Sequence, residues 1–384
     1  MQILTSTSSV LKFIHGTDVV RIAIVTFHRA YNCGAMLQAW ALKTVLERMG
    51  HTVEFPCGPY NEVGRFPPKL PIHERCRTGS YARRLRSFVY RLVQTVLGKK
   101  IGITAGGYYD DFRKAHLPER KCGIAEFGKH YDAIVLGSDQ VLNPHLNEWT
   151  PFFLCRDIPH GVRKVAYAAS TGEKPFTEEE KAMVVAALAS FSAVSVREPF
   201  MDYTVNLDPT LLLDANDYNA IARPFRRRKE YIYMYSCEAS DFEVKVARRI
   251  AERLGMDLLI TPTWGTFKRN AAKDFSNKIS PSMMVSYIKG AKYVLAGSFH
   301  GTAVALVHGK PFLNVIPDHR STRRVSAILG EVGEADRIVN PDDSIDDMIL
   351  RLTRPLGDEC YDRLVNVRQK SLAWLSDAIE KIHV

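Results

Sequence analysis

Apolar and polar positions along the chain follow a pattern that predicts repeated strand–helix units. The run Ile22-Ala-Ile-Val25 is apolar throughout, as expected of a parallel strand buried on both faces, and it lies in a predicted strand over residues 21–27. Apolar positions then recur at helical spacing over residues 36–49, and Gly50 separates this helix from a second strand at 51–55. Strand, helix and strand in this order predict a βαβ opening.

Similar units continue to the end of the chain and form two groups. The first group adds predicted strands at 132–136, 162–169 and 193–196 and a helix at 177–190. The second has strands at 231–236, 257–260, 293–296 and 312–316, and helices at 241–254, 282–289, from 322, at 345–354 and at 358–382. The dipeptide Asp208-Pro209 separates the groups, and 384 residues exceed the roughly 250–300 that a single core serves.

We therefore predict an α/β protein with two Rossmann-like domains of parallel sheet that face a central cleft. The predicted parts are a flexible extension at 1–20, an N-terminal domain at 21–207, a C-terminal domain at 208–357, and a final helix at 358–384 that crosses back towards the first domain.

Composition excludes several classes of protein. No run of about 18 apolar residues exists to span a membrane, and residues 1–20 lack the charged start and apolar stretch of a signal peptide. The seven cysteines are widely spaced and form no C-x-x-C pair, which argues against a disulfide framework and against a cysteine-ligated zinc site. The sequence therefore predicts a cytoplasmic protein.

The formal charge of +10 is concentrated in one segment. Between residues 65 and 100, ten lysines and arginines oppose one glutamate, a local charge of +9 that leaves the rest of the chain near neutral. Apolar positions at helical spacing in this segment allow two interpretations: an interfacial helix on anionic lipid at the inner face of the plasma membrane, or an amphipathic helix packed on its own domain. The segment lacks aromatic residues spaced for base stacking, so we expect no nucleic-acid binding.

The most informative stretch for function is 294–312, which reads as a strand, a tight turn with Ser298, His300 and Gly301, and a short helix. The histidine follows a strand and begins a helix. Open α/β sheets bind ligands at that point, and the free N–H groups and dipole of a helix favour an anion. The stretch predicts a small anionic ligand beside an ionisable imidazole. The alternative is a buried histidine that caps the helix.

Four separated motifs carry a resemblance to a known family. They are Asn32-Cys-Gly-Ala-Met-Leu-Gln-Ala39, Tyr131-Asp-Ala-Ile-Val-Leu-Gly-Ser-Asp-Gln-Val-Leu-Asn143, Ser195-Val-Arg-Glu198 followed by Asp208-Pro-Thr-Leu-Leu-Leu213, and Ser298-Phe-His-Gly301 followed by Lys310-Pro-Phe312. In this order and spacing, over about residues 21–335, they resemble the polysaccharide pyruvyl transferase family. The resemblance implies a GT-B-like fold and the transfer of a pyruvyl group from phosphoenolpyruvate (PEP) to two hydroxyls of a sugar. The products it implies are a cyclic ketal and phosphate.

The resemblance also implies roles on the donor side. His300 is expected to act as general acid or phosphate ligand, and Arg197 to contact PEP. Ser298 stands where another branch of the family has an arginine, so Arg320, Arg323 or Arg324 is expected to supply the missing charge. Lys310 is a further candidate for holding phosphate, although a lysine before Pro311 is often merely solvated.

On the acceptor side, Asp139 is the carboxylate expected to accept a proton from the attacking sugar hydroxyl. Asn32, Ser138 and Gln140 are candidates for binding the sugar, and Gly34 allows a close approach of backbone and ligand. The alternative for Asp139 is a helix N-cap.

Three functions remain open from the sequence. The first is PEP-dependent pyruvyl transfer to a surface polysaccharide or its lipid-linked precursor, with PEP as co-substrate and no cofactor. The second is a GT-B glycosyltransferase with a nucleotide-sugar donor, although no G-x-G-x-x-G element is present. The third is a non-catalytic sugar- or lipid-binding module. Histidines and carboxylates show no ligand spacing, so we expect no metal.

Overall fold

The computed structural model describes residues 19–58, 103–146, 151–237, 239–262, 274–276, 278–316 and 322–382. The basic segment 65–100, all but two residues of the predicted extension 1–20, and Arg320 lie outside these described residues. None of the helices within the described ranges is long and apolar enough to cross a bilayer.

The first sheet has seven parallel strands, and it occupies the N-terminal half of the chain. Its strands are β1 (Arg21–Val25), β2 (Thr52–Cys57), β3 (Glu119–Lys121), β4 (Ala133–Leu136), β5 (Arg163–Ala169), β6 (Ala193–Val196) and β7 (Thr204–Val205), in the spatial order β3-β2-β1-β4-β5-β6-β7. The helices of this half are α1 (Cys33–Arg48), α2 (Ile103–His116), α3 (Phe127–His130) and α4 (Glu178–Leu188). Central β1 pairs Ile22 with Val53 on one side and with Ala133 on the other.

The second sheet has four parallel strands. They are β8 (Tyr231–Ser236), β9 (Asp257–Pro262), β10 (Tyr293–Gly297) and β11 (Phe312–Asn314), in the order β11-β10-β8-β9. The remaining helices are α5 (Ala215–Ile221), α6 (Asp241–Leu254), α7 (Pro281–Gly290), α8 (Phe299–Val307), α9 (Thr322–Glu331), α10 (Ile345–Thr353) and α11 (Asp358–Glu380). The prediction of a GT-B-like α/β fold with two parallel sheets is confirmed.

The carboxyl edges of the two sheets face each other. The strand order reverses between β1 and β4 in the first sheet and between β8 and β10 in the second, and ligands of open α/β sheets bind at such switch points. Gly34 lies in the first turn of α1, which follows β1, and His300 lies in the first turn of α8, which follows β10. The His300 ring lies directly against Gly34, so the two switch points meet in one cleft.

Most strongly patterned elements appear where the sequence predicts them, including β6, β8 and α6 at the exact bounds. A capping box at Thr177 and Glu180 opens α4. The pattern did not predict β3, β7, α2, α3 and α5. Strands β3 and β7 are two or three exposed residues long, and α2 contains two adjacent glycines, which lower helix propensity.

The last helix lies against the first sheet and the segment that joins the two sheets. Trp374 packs on the Tyr167 ring of β5 at 6.1 Å. Ser371 Oγ accepts the Leu207 N–H at 3.0 Å, and Arg368 Nε donates to the Leu211 carbonyl at 2.7 Å. Helix α11 therefore anchors the interdomain segment that carries Asp208.

Arg337 is a fully buried arginine whose removal should destabilise the second domain. Its five N–H donors bond to Glu334 Oε2 at 2.6 Å and to four backbone carbonyls, those of Phe312, Arg351, Arg354 and Pro355. We expect Arg337→Met to lower the free energy of unfolding by about 3–5 kcal/mol, because buried partners lose their donors. Urea unfolding of that variant measures this loss.

Arg253→Met is the matched control for this prediction. Arg253 pairs with Asp346 at 2.5 Å, but both side chains are mostly exposed, so its loss should cost less than about 1 kcal/mol. Equal losses in the two variants would contradict a structural role specific to Arg337.

Candidate functional site

Helix α8 places His300 at the cleft. Ser298 is its N-cap, and the Ser298 hydroxyl accepts the Gly301 N–H at 3.1 Å. This bond commits the hydroxyl to capping the helix. The His300 side chain, in the first turn, is only 10% exposed. A Cβ on Gly301 would lie 3.1 Å from both Ser298 Oγ and the Tyr235 ring, so Gly301 serves the tight packing of this turn.

The His300 ring crosses to the first domain and packs on the start of α1. A Cβ built on Gly34 would lie 2.1 Å from His300 Nδ1 and 2.4 Å from Cγ, distances that no packed structure allows. Asn32 is the N-cap of α1, and its side-chain oxygen accepts the N–H groups of Gly34 at 2.8 Å and Ala35 at 3.2 Å. Absence of a side chain at Gly34 is therefore what lets the two domains approach at His300.

Asp208 lies behind His300, in the segment between the sheets, and it is fully buried. Its Oδ2 accepts Arg197 Nη1 at 2.7 Å and Ser138 Oγ at 2.9 Å, and it lies 3.6 Å from His300 Nε2. Its Oδ1 accepts the N–H and the hydroxyl of Thr210 at 2.9 and 2.6 Å. One carboxylate thus joins the residues that follow β4 and β6 to the first turn of α8.

These partners keep Asp208 ionised. Burial alone would raise the pKa of this carboxyl. The imidazole of His300 and the guanidinium of Arg197, together with the donors of Thr210, outweigh burial and hold the pKa well below its ordinary value. Asp208 is therefore a permanent negative charge at the centre of the cleft.

Arg197 follows β6 and is buried with its guanidinium 4.8 Å from the centre of the Phe299 ring. Its Nη2 lies 3.7 Å from Asp139 Oδ1, and its Nε lies 3.7 Å from Glu198 Oε2, both too far for hydrogen bonds. Nε and Nη2 of Arg197, Oε2 of Glu198 and Nε2 of His300 are all buried without a hydrogen-bond partner. Buried polar atoms are rarely left unpaired, so this concentration indicates a functional site.

Glu198 shapes the loop after β5. Its Oε1 accepts the Ser170 hydroxyl, the N–H and hydroxyl of Thr171, and the Gly172 N–H, at 2.7 to 3.1 Å. The carboxylate thereby fixes the turn that passes beside Asp139. Arg197, the predicted contact of PEP, is therefore followed directly in the sequence by a second buried carboxylate, that of Glu198.

Asp139 follows β4 in a left-handed backbone conformation with φ 70°. Left-handed residues other than glycine are uncommon and concentrate at functional sites. Its Oδ1 accepts the Gln140 N–H at 3.0 Å, and a turn follows rather than a helix, so the alternative reading of Asp139 as a helix N-cap is wrong. The side-chain oxygen of Gln140 accepts Asn143 Nδ2 at 2.8 Å.

The other predicted cations lie at different places. Arg323, at the start of α9, donates to the Pro199 carbonyl at 3.1 Å, and its backbone N–H reaches Glu173 at 3.3 Å. Arg324 Nε donates to Glu173 Oε1 at 2.9 Å. Both therefore border the loops of the first domain. Lys310 instead donates to the Ala291 carbonyl, ahead of β10, and so lies at the sheet edge opposite His300.

Around Arg197, the described residues form a cluster with three carboxylates, those of Asp139, Glu198 and Asp208, and a single guanidinium. Its formal charge is thus negative before any ligand binds, and an anionic ligand needs further cations at its edge. Within the described ranges no group of three or more histidines, cysteines and acidic residues could hold a metal ion.

Comparison with known proteins identifies the family. The sequence model of the polysaccharide pyruvyl transferases matches residues 32–319, about three quarters of the chain. The chain belongs to the polysaccharide pyruvyl transferase family. It is therefore a transferase, and the resemblance drawn from the four motifs is confirmed. No curated protein matches the sequence.

Solved structures of similar architecture include glycosyltransferases of low sequence identity. The spinosyn forosaminyltransferase SpnP is 12% identical, with 92% of this chain and 95% of that chain covered and a TM-score of 0.44. The calicheamicin glycosyltransferase CalG4 is 12% identical, with 95% and 98% covered and a TM-score of 0.44. S. aureus MnaA with UDP is 9% identical, with 91% and 95% covered and a TM-score of 0.49.

The structure brings together most predicted residues of this polysaccharide pyruvyl transferase and adds two. Asn32, Gly34, Ser138, Asp139, Arg197 and His300 form one contiguous site. Sequence reasoning did not assign a role to Asp208 or Glu198, although both stand inside quoted motifs, Asp208-Pro209 and Ser195-Val-Arg-Glu198. The position of each acidic residue inside a family motif was the signal that could have pointed to a role. Only the fold shows which groups each carboxylate contacts.

Proposed function

We propose that this protein transfers a pyruvyl group from PEP to two hydroxyls of a sugar in a surface polysaccharide or its lipid-linked precursor. The observation that carries the proposal is the meeting of His300, Arg197 and Asp139 in one cleft of a polysaccharide pyruvyl transferase. A proton donor, a fixed cation and a proton acceptor are the groups that the addition of an alcohol to PEP requires.

The first step is addition across the double bond of PEP. His300 gives a proton to the methylene carbon, which becomes a methyl group, and C2 becomes electrophilic. The first sugar hydroxyl bonds to C2 through its oxygen, and its proton passes to Asp139. One proton enters the donor and one leaves the acceptor, so this step changes no net charge.

The second step closes the ketal. The bond between C2 and the phosphate oxygen breaks, and phosphate leaves with the bonding electron pair. The second hydroxyl bonds to C2, and its proton leaves with the phosphate. PEP and a diol thus become a cyclic ketal that keeps the carboxylate, and no oxidant, reductant, cofactor or metal enters the balance. Transfer of one proton from Asp139 back to His300 through solvent restores the enzyme.

Cations at the edge of the site are proposed to hold the donor anion. The amino end of helix α8, where the helix dipole favours an anion, lies at the cleft, and Arg323 lies at the start of α9 beside Pro199. Arg320, outside the described residues, belongs to the same stretch of sequence. In this proposal Arg197 lies deeper and stabilises charge near C2, whereas Lys310 takes no part because it lies at the opposite sheet edge.

The acceptor is proposed to lie against the first domain, between Asn32 and the loop of Ser138, Asp139 and Gln140. Asp139 is 13% exposed at its side chain, so a hydroxyl of the acceptor can reach it. Anionic lipid bound by the basic segment 65–100 would keep such an enzyme near a lipid-linked acceptor.

Calorimetric titration of PEP, together with phosphate release in the presence of a panel of saccharides, tests this function. We expect saturable PEP binding and phosphate release that depends on an added acceptor. Arg323→Gln should weaken PEP binding about tenfold, because it removes one charge-assisted contact. Arg253→Gln, which removes an exposed arginine of the same domain, should leave the binding of PEP unchanged.

A nucleotide-sugar donor is the competing function on the same fold. Saturable binding of uridine or guanosine diphosphate, with no binding or consumption of PEP under any acceptor, would overturn the proposal in its favour.

A further inference from the structure

We propose that Asp208 is a positioning residue that fixes the tautomer of His300, so that Nε2 keeps its proton and Nδ1 is the nitrogen that exchanges protons with the substrate. The observation is a juxtaposition across the two domains: His300 Nε2 is buried, lacks a hydrogen-bond partner, and has an Asp208 carboxylate oxygen 3.6 Å away.

The electrostatics of this contact select one tautomer. A neutral imidazole has one N–H nitrogen and one nitrogen with a lone pair. If the lone pair were on Nε2, it would face an ionised carboxylate in a buried environment, where like partial charges repel strongly. With the proton on Nε2, an N–H dipole points at that carboxylate instead. Asp208 therefore favours Nε2–H in both the neutral and the charged imidazole.

The geometry places the other nitrogen towards the acceptor side. Nδ1 is the ring atom nearest to the missing Cβ of Gly34, at the start of α1. Helix α1 brings no acidic residue in its first turn, and Asn32 caps its first N–H groups. The start of α1 therefore places no carboxylate against Nδ1. On its other side the ring faces Asp208, which in turn accepts a hydrogen bond from Arg197.

The hydrogen bonds of Asp208 explain why this carboxylate holds its place. Thr210 fixes one oxygen, while Ser138 and Arg197 fix the other. A carboxylate that is restrained in this way selects a tautomer without moving when the imidazole gains or loses a proton. Asp208 also links His300 of the second domain to Arg197 of the first, so one carboxylate sets the position of both side chains.

This inference rests on the proposed function only for the destination of the proton. The tautomer itself can be measured without substrate. We would record ¹⁵N spectra of histidine-labelled protein above the titration of the imidazoles and assign the His300 signals as those absent from His300→Gln. We expect a protonated Nε2 and an unprotonated Nδ1 in the wild type. The opposite tautomer would overturn the proposal, whether or not Asp208 can be substituted.

Asp208→Asn removes the charge while keeping the shape. In this variant we expect His300 to populate both neutral tautomers instead of one. Acceptor-dependent turnover of PEP should fall at least about 100-fold, because the general acid then has its proton on the wrong nitrogen. Asp214→Asn is the control, because it removes a buried carboxylate that caps α5, and asparagine caps a helix equally well. A retained Nε2–H tautomer in Asp208→Asn would overturn the proposal.

The two proposals fail in different ways. The predicted tautomer in a protein that never consumes PEP would leave the role of Asp208 standing and reject the donor. Consumption of PEP by a protein with the opposite tautomer would support the donor and reject the role of Asp208.

Discussion

His300→Gln is expected to lower acceptor-dependent phosphate release from PEP by about 10²–10⁴-fold, the usual contribution of a positioned general acid. Glutamine can present an N–H towards Asp208 from the position of Nε2, so the buried carboxylate keeps a donor. It cannot deliver a proton to the methylene of PEP, because its amide does not ionise in this pH range. Steady-state phosphate release at saturating PEP and acceptor measures the loss.

His308→Asn is the matched control, because His308 is the other histidine of the same helical segment. Burial lowers the pKa of His308 to about 4, so it is neutral at working pH, and its ring bonds only to the Val304 carbonyl, at 2.9 Å. Asparagine can keep that bond, so turnover should stay within about threefold of the wild type. If the His300 variant retains full turnover, His300 is not the acid.

Gly34→Ala should be nearly as damaging, although it adds only a single methyl group. The new Cβ would lie 2.1 to 2.8 Å from three atoms of His300, so the imidazole or the whole start of α8 must shift. Displacement of a reacting group by about 1 Å costs roughly 100-fold in rate. We expect a loss of at least this size in turnover, with secondary structure retained by circular dichroism.

Gly107→Ala distinguishes this clash from a general effect of alanine in a helix. Gly107 lies in α2, and a Cβ there meets nothing within 4 Å. Alanine should stabilise that helix slightly and leave turnover unchanged. Wild-type turnover in Gly34→Ala would show that the approach of α1 to His300 is not needed for catalysis.

Local sequence was sufficient for much of the fold. Strands such as β1 and β8 are apolar enough to be buried on both faces, and α6 has both a capping box and Gly255 at its end, so their positions follow from short-range signals. Elements with weak local signals were missed. Strand β3 is three charged, exposed residues that pair with β2 only because the sheet offers an edge.

The candidate site was predictable only in part, for the same reason. A histidine between a strand and a helix, and an aspartate after a strand, are visible in the sequence because topology places such residues at the carboxyl edge of a sheet. Lys310 has equally suggestive neighbours in sequence, yet α8 carries it to the other edge of the sheet. Proximity along the chain therefore did not indicate proximity in space.

By itself, the sequence determined the two parallel sheets, the family, and the identity of His300, Arg197 and Asp139 as candidate residues, because periodicity and ordered motifs are properties of the chain. Only the tertiary structure decided that Asp208 lies against both His300 and Arg197, and that Gly34 must lack a side chain. The physical reason is that His300 lies 92 positions from Asp208 and 266 positions from Gly34 along the chain, and only the packing of two domains brings them together. No local pattern encodes which carboxylate will meet which imidazole across a cleft.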